Sequence, residues 1–218
     1  MLLETSLFVL AAYVFGSTPF GKLVAKGVAR IDITQQGSKN IGATNVAREL
    51  GLKWGLLTLI LDMLKGFLPV FLYGFYASPG SIEYTLGLSV VALAPLLGHQ
   101  FSLFMGFHGG KGVATAFGIY LAISPISCVL ALLLFLLTVY KWDFVSLGSM
   151  VSASALPVFL TLFGRPWPLV IGALFAAALI CLSHRENIQR LVSGEERKWS
   201  ERKGHSNRSK SLSNSSSE

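Results

Sequence analysis

Residues 55–76 read GLLTLILDMLKGFLPVFLYGFY, and this stretch decides the fold class. The hydrocarbon core of a bilayer is about 30 Å thick, so a helix that crosses it needs about 20 mostly apolar residues. Residues 55–76 meet that length with only two charged side chains, Asp62 and Lys65. The segment is therefore predicted to be a membrane-spanning helix.

Further apolar stretches of comparable character lie on both sides of this segment. Residues 114–140 form one apolar run that is too long for a single span, so we divide it into two spans at Ser124-Pro125. The first run has Glu4 near its start and no basic stretch ahead of it, which favours a retained helix over a cleaved signal. We predict an all-α polytopic integral membrane protein of about seven transmembrane helices, over residues 3–21, 55–76, 84–105, 113–124, 126–141, 145–163 and 167–183.

The composition agrees with a membrane protein. The chain of 218 residues is 52% hydrophobic and only 13% charged, about half the charged fraction of a soluble domain. The formal net charge of +7 comes from loops and the tail, so anionic lipid and anionic substrates are expected as partners and nucleic acid is not. Cys128 and Cys181 lie in apolar runs without metal-ligand spacing, so we expect packing roles, no metal and no cofactor.

The distribution of lysine and arginine predicts the orientation. With seven spans, one face carries nearly all the basic residues outside the membrane, and the other carries only Arg165. Because cytoplasmic loops hold the excess of positive charge, the N-terminus is predicted outside and the C-terminus in the cytoplasm. Residues 1–198 then form the membrane domain, with cytoplasmic loops 22–54 and 106–112, and the serine-rich basic residues 199–218 form a disordered cytoplasmic tail.

The first cytoplasmic loop contains a candidate phosphate site. Residues 37–45 read GSKNIGATN, and Arg48 follows. Small residues let backbone N–H groups approach an anion, and an arginine can hold phosphate through two parallel hydrogen bonds. A flexible loop ahead of a helix is the alternative interpretation. The candidate phosphate-binding residues are Ser38, Gly42, Asn45 and Arg48.

The second glycine-rich loop, residues 106–112, reads GFHGGKG. It places Lys111 at the start of a helix, where the helix dipole favours anions. The spacing does not match an ATP-binding Walker loop, which requires a glycine at the position of Met105 and serine or threonine at that of Gly112. The candidate phosphate contacts in this loop are Gly109, Gly110, Lys111 and Gly112.

Three further groups of polar residues are candidates. Ser146 and Ser149 share one face at the start of the sixth predicted span, although helical serines often bond only a backbone carbonyl. His184 and Asn187 share a face where the last span ends. Asp62 and Lys65, three residues apart in a span, are predicted as a buried structural pair, with direct substrate contact as the alternative.

The ordered set of motifs resembles the bacterial acyl-phosphate–glycerol-3-phosphate acyltransferases (PlsY). The resemblance runs to about residue 197 and rests on GSTPFG at 16–21, GSKNIGATN with Arg48, DMLKG at 62–66, GH at 98–99, GGKGVAT at 109–115, VSLGS at 145–149 and HRENIQRL at 184–191. It implies transfer of a fatty acyl group from acyl phosphate to the 1-hydroxyl of glycerol 3-phosphate in phospholipid biosynthesis. The products would be lysophosphatidic acid and phosphate.

The same resemblance implies residue roles and a location. Ser38, Arg48, Lys111 and Ser149 would bind phosphate, and His184 and Asn187 would position glycerol 3-phosphate and the reacting centre. The enzyme would lie in the bacterial cytoplasmic (inner) membrane with its active site on the cytoplasmic face, and a monomer is compatible with the sequence. Lys39, and the pair Trp142-Asp143, depart from the pattern of the family.

The proton acceptor and the class of protein each leave an alternative. Because acyl phosphate is already activated, positioning and charge stabilisation are the main tasks of the site, and the proton acceptor is either His184 or, as we favour, the phosphate of the substrate. A small-anion transporter or lipid-binding membrane protein is the competing class. It predicts charges deep in several spans and an internal repeat, and neither is visible in the sequence.

Overall fold

The structure is a computed structural model that describes residues 2–77 and 81–203. Within these ranges the chain forms ten α-helices, with short 3-10 turns and irregular loops between them. The helices are α1 (Leu2–Gly16), α2 (Phe20–Ala29), α3 (Ala43–Leu50), α4 (Leu52–Tyr76), α5 (Ile82–Gln100), α6 (Val113–Ile123), α7 (Pro125–Trp142), α8 (Val145–Leu162), α9 (Trp167–Ser183) and α10 (Arg185–Ser193).

Five helical stretches in the described part of the chain are long and apolar enough to cross a membrane. They are Leu2–Ala29, Leu52–Tyr76, Ile82–Met105, Pro125–Trp142 and Val145–Leu162. A sixth is possible if α9 and α10, which meet at an angle of 58°, count as one broken span. The prediction of an all-helical multi-pass membrane protein is confirmed, whereas the number seven stays a prediction. The fourth predicted span corresponds to α6, whose length of about 16 Å is only half the bilayer core.

The first predicted span, residues 3–21, is interrupted in the structure. Helix α1 ends at Gly16, and α2 begins only at Phe20. Pro19 lies between them, and because proline has no backbone N–H it cannot continue the hydrogen-bond ladder of α1. At the interruption the carbonyl of Thr18 accepts the N–H of Phe20 at 3.1 Å and also the side chain of Lys65 from α4 at 2.8 Å.

Small residues bring α4 and α6 into close contact. A Cβ atom on Gly66 would lie 2.1 Å from the Thr115 carbonyl oxygen, and one on Gly118 would lie 1.9 Å from that of Met63. Helices in lipid gain stability from such close backbone packing, because lipid provides no hydrophobic driving force between them. The contact fixes the start of α6, and with it Lys111, against the middle of α4.

The outer surface is apolar. Leu10, Leu72, Leu133 and Leu174, on four different helices, are each about half exposed or more. A continuous apolar surface of this kind indicates contact with lipid tails. A separate small core of Val24, Ala25, Ile33, Ile41 and Val46 lies beneath the first loop and supports it.

The first residues of the predicted tail contact the end of α7. The backbone N–H of Trp199 donates to the Asp143 carbonyl at 2.8 Å, and residues Ser200–Lys203 form a short 3-10 turn. The rest of the tail, residues 204–218, lies outside the described residues, so its predicted disorder stays a prediction.

Candidate active site

One cavity of about 890 Å³ collects most of the candidate residues. Its lining comes from the first loop, the start of α6, the start of α8, the junction of α9 and α10, and residues 196–199. Of the candidate residues, the following line it: Ser38, Gly42, Asn45, Arg48, Lys111, Gly112, Ser146, Ser149, His184 and Asn187. Segments separated by most of the chain therefore meet at one place.

Asn45 organises the first loop through its own side chain. Its Oδ1 accepts the backbone N–H of Ser38 at 2.9 Å, and its Nδ2 lies within bonding distance of the carbonyls of Ile33, Gln36 and Asn40. With only 2% of its surface exposed, Asn45 has its donors and acceptor occupied by the loop. This arrangement differs from the predicted direct phosphate contact, because the amide shapes the loop instead.

Gly42 and Arg48 place the start of α3 beside the cavity. Gly42 precedes the first residue of the helix, and its N–H donates to Asn40 Oδ1 at 2.8 Å. No side chain of the described residues caps α3, and the Asn45 N–H donates to the Gly42 carbonyl at 3.0 Å, so the N–H groups of Ala43 and Thr44 are the first-turn donors that an anion can use. Arg48 lines the same cavity from one turn further on, and its guanidinium donates to the Arg197 carbonyl at 3.4 Å.

In the second loop, Lys111 and Gly112 line the cavity but Gly109 and Gly110 do not. The N–H of Gly110 donates to the His99 carbonyl at 3.1 Å, and a Cβ on Gly109 would lie 2.0 Å from that same oxygen. The phosphate contact predicted for these two glycines stays a prediction, and their backbone packs against α5. They are small because the loop packs directly on the end of α5.

Lys111 is largely buried at the cavity mouth, which we define as Arg48, Lys111, Asn187, Arg190 and Glu196. Its Nζ donates to Asn187 Oδ1. The pKa of Lys111 is lowered to about 8, mainly by burial; the charge of Glu196 opposes this shift, and the charges of Arg190 and Arg48 add to it. Lys111 thus keeps its positive charge at neutral pH.

His184 lies at the bend between α9 and α10, and only 2% of its surface is exposed. Its Nδ1 lies 2.8 Å from the Ile180 carbonyl, which can only accept, so Nδ1 carries the hydrogen. Burial lowers the pKa of His184 to about 4, and the charge of Lys111 contributes. The ring is therefore neutral at pH 7, and its Nε2 is a hydrogen-bond acceptor.

Glu196 is a site residue that the sequence prediction missed. Its Oε1 accepts from Ser146 Oγ at 2.6 Å and from Asn187 Nδ2 at 2.7 Å, while its Oε2 accepts from Arg190 Nε at 2.9 Å. Burial alone would raise the pKa of Glu196, but these hydrogen bonds outweigh it and hold the pKa below its usual value. The only signal in the sequence was its place shortly after the HRENIQRL motif.

The two serines of α8 behave differently. Ser146 donates to Glu196, as described, whereas Ser149 donates to the Val145 carbonyl one turn back at 2.8 Å. A hydroxyl that donates to the backbone can still accept, so Ser149 keeps acceptor capacity toward the cavity. Both serines are buried and line the cavity.

Away from the mouth, the cavity continues between helices as an apolar channel. We define this channel by its lining residues Phe117, Leu132, Phe135, Val139, Leu156 and Ala177. A polar, positively charged mouth joined to an apolar channel can hold a molecule that has an anionic head and a hydrocarbon chain. Among residues 2–77 and 81–203, no cluster of three or more His, Cys, Asp or Glu side chains is arranged to hold a metal ion.

Comparison with known proteins gives a consistent result. A family model described as "Glycerol-3-phosphate acyltransferase" matches residues 6–194. A relative of that name from Geotalea daltonii is 44% identical over 188 residues, which cover 86% of this chain and 94% of the relative. One from Desulfotalea psychrophila is 43% identical over 193 residues, covering 88% and 97% respectively.

Solved structures agree with the sequence comparisons. The crystal structure of PlsY (YgiH), described as an integral membrane glycerol 3-phosphate acyltransferase in its glycerol 3-phosphate form, superposes with a TM-score of 0.85 at 39% identity, covering 90% of this chain and 96% of that one. The lysophosphatidic acid form of PlsY gives a TM-score of 0.83 at 39% identity, covering 89% and 95%. Because the family model matches residues 6–194 and the fold is shared over 90% of the chain, this chain belongs to the glycerol-3-phosphate acyltransferase family.

Proposed function

We propose that this chain transfers a fatty acyl group from an acyl phosphate to the 1-hydroxyl of glycerol 3-phosphate. The products are lysophosphatidic acid and inorganic phosphate. One observation carries the proposal: a single cavity joins a mouth that holds Arg48, Lys111 and Arg190 to an apolar channel. Both substrates carry phosphate, and only the donor carries a fatty chain, so one cavity of this shape accommodates the pair. The glycerol 3-phosphate and lysophosphatidic acid forms described for PlsY support it.

In this proposal the phosphate groups contact the two loops and the serines of α8. Arg48 and Lys111 supply positive charge, Ser38 and Ser149 supply hydroxyl groups, and the first turn of α3 beyond Gly42 supplies backbone donors. Gly112 and Ser146 complete the wall of the site. We assign Asn45, Gly109 and Gly110 to holding the loops in shape, because their polar groups or their packing are already directed at the protein.

The transfer is a single displacement at the acyl carbonyl carbon. The 1-hydroxyl oxygen of glycerol 3-phosphate forms the new ester bond as the bond from the carbonyl carbon to the phosphate oxygen breaks. The hydroxyl proton passes to the phosphate group of glycerol 3-phosphate itself, and the phosphate of the donor departs. Lys111 and Arg48 stabilise the negative charge that grows on that phosphate, which is the main contribution that a preorganised site makes.

We propose that His184 orients the hydroxyl and that the phosphate group of glycerol 3-phosphate is the proton acceptor. A pKa of about 4 makes the ring a weak base, because burial disfavours its charged form. Its Nε2 lone pair can still accept a hydrogen bond from the hydroxyl, since Nδ1 is held by Ile180. Asn187, fixed by Glu196 and Lys111, positions the same substrate beside it.

We also propose seven membrane segments, with the N-terminus outside, the C-terminus in the cytoplasm and the active site at the cytoplasmic face of the bacterial inner membrane. The lysine and arginine distribution supports this orientation. The short α6 would start at the cavity and descend beside α4, so its missing length is taken up by the second loop. Membrane lipids surround the apolar outer surface.

Phosphate release tests the reaction. Purified protein in a lipidic phase, supplied with an acyl phosphate and glycerol 3-phosphate, should release phosphate and form lysophosphatidic acid in equal amounts. Omission of glycerol 3-phosphate should abolish product formation. Failure with both substrates present would refute the acyltransferase. A small-anion transporter would instead move phosphate across vesicles without forming product, and the family relationship does not favour that class.

A further inference from the structure

A buried polar cluster lies beneath the cavity, away from the phosphate-binding groups assigned above. It consists of Asp62 and Lys65 of α4 and His99 of α5, each with 3% of its surface exposed or less. Lys65 Nζ lies 2.9 Å from Asp62 Oδ1, and Asp62 Oδ1 lies 3.7 Å from His99 Nδ1. Asp62 and His99 both reach the lining of the cavity.

The cluster connects two backbone segments that are far apart in sequence. On one side, Lys65 donates to the Thr18 carbonyl at 2.8 Å, at the interruption between α1 and α2. On the other side, the carbonyl of His99 accepts the N–H of Gly110 at 3.1 Å. A Cβ on Gly110 would lie 2.2 Å from His99 Nε2, so the imidazole ring packs directly under the second loop. Lys111 is the next residue in the chain.

From these contacts we propose that Asp62, Lys65 and His99 are positioning residues for the acyl transfer, which hold the second loop so that Lys111 points into the cavity. This inference rests on the proposed function. The three side chains act through the backbone of Gly110 and need no contact with either substrate. A buried ion pair is expensive in free energy and contributes little net stability compared with apolar residues of similar size. A role in fixing the geometry of the loop accounts for its place here.

The ion pair is tested by removing both charges together. Single substitutions leave one charge buried without a partner, which lowers stability strongly, whereas removing both charges need not. We therefore expect the double variant Asp62→Asn/Lys65→Met to keep a melting temperature close to that of the parent. Its kcat/KM for phosphate release should fall about tenfold or more, because misplacing a catalytic group by about 1 Å can cost a factor of about one hundred.

His99 gives a second test that changes no formal charge. His99→Leu should lower kcat/KM about tenfold or more, and His99→Asn, which retains a polar group facing Asp62, should recover at least part of that loss. A residue that only filled space would show the opposite order, because leucine is the more apolar replacement. Thr85→Val is the matched control. Thr85 is a buried polar residue of the same helix, and its hydroxyl donates to the Ile82 carbonyl one turn earlier. Thr85 does not line the cavity.

The outcomes separate this inference from the proposed function. An inactive parent protein would refute the proposed reaction. An active parent, with the folded double variant and His99→Leu both retaining parental kcat/KM, would refute the positioning role. If the double variant fails to fold, the order of His99→Leu and His99→Asn decides alone. Thr85→Val should match the parent throughout, and a loss there equal to that of His99→Leu would also overturn the inference.

Discussion

At the residue scale, His184 combines a fixed tautomer with a low basicity. Because its Nδ1–H is committed to Ile180, the ring can orient a hydroxyl but takes its proton poorly. We expect His184→Ala to lower kcat about a hundredfold, within the usual range for one positioned group, and to leave measurable activity. Single-turnover phosphate release would measure this effect. Complete loss of turnover with unchanged substrate binding would favour His184 as the general base instead.

Lys111 should set the alkaline side of the pH profile. With a pKa of about 8, its ammonium is charged below that pH and neutral above it. In the proposed mechanism the charged form binds phosphate, so kcat/KM is expected to fall as the pH rises through about 8. Lys111→Arg keeps its charge to a much higher pH, so its profile should lose this fall. An unchanged fall near pH 8 in Lys111→Arg would exclude Lys111 as its origin.

Glu196 and its neighbour Glu195 form a matched pair of test positions. Glu196→Gln replaces the carboxylate that accepts from Ser146, Asn187 and Arg190, and each hydrogen bond to a charged group contributes about 1.5 to 3 kcal/mol. We expect its kcat/KM to fall about tenfold or more. Glu195→Gln, at an exposed position, should behave like the parent in the same assay. Equal effects of the two substitutions on kcat/KM would show that the hydrogen bonds accepted by Glu196 do not contribute to catalysis.

At the element scale, the contact between α4 and α6 should tolerate side-chain growth poorly. Gly118→Ala would place a methyl group against the Met63 carbonyl, so we expect it to lower the free energy of unfolding by about 1 to 3 kcal/mol. Gly27→Ala in α2 is the control, because no atom lies within 4 Å of its added Cβ. It should be neutral or stabilise by up to about 1 kcal/mol. Thermal denaturation in detergent compares the two, and equal stability would contradict the packing argument.

The sequence predicted the elements better where hydrophobicity decides than where a single backbone break does. The long apolar stretches of α4, α5, α7 and α8 were expected close to their observed positions. The span predicted over residues 3–21 runs through the interruption at Pro19, because these residues are apolar enough to form one helix by length and hydropathy. The short α6 was predicted at the right place, but its membrane depth depends on packing against α4, which hydropathy does not encode.

The site residues show the same division. Glycine-rich loops, an arginine and a lysine could be recognised as a phosphate-binding pattern because that chemistry is local. Asn45 and Gly110 could not be separated from direct ligand contacts, because the sequence does not show how the loops fold back and which carbonyls they bring to the Asn45 amide and the Gly110 N–H. Glu196 was missed because only tertiary structure brings it next to Ser146.

At the scale of the whole molecule, the proposed orientation predicts that the loop before α9 and the end of α10 are accessible from opposite sides of the membrane. In a Cys128→Ala/Cys181→Ala background, a cysteine at Arg165 should react with a membrane-impermeant maleimide added to intact cells. A cysteine at Ser193, the end of α10, should react only after the membrane is permeabilised. Arg165 lies in the loop between α8 and α9, and Ser193 is the last residue of α10, so the substitutions should leave the helices intact. The reverse pattern would invert the topology and place the active site on the outer face.

The low basicity of His184 also bears on how the enzyme treats water. A strong base beside the acyl carbonyl would activate any water molecule that entered, and the donor would be hydrolysed without yielding lipid. If the proton acceptor is the phosphate of glycerol 3-phosphate, as proposed, a site that holds only acyl phosphate has little means of activating water. Bound acyl phosphate is then expected to resist hydrolysis until glycerol 3-phosphate binds. In this proposal the buried, neutral ring of His184 limits unproductive hydrolysis of the acyl phosphate anhydride bond.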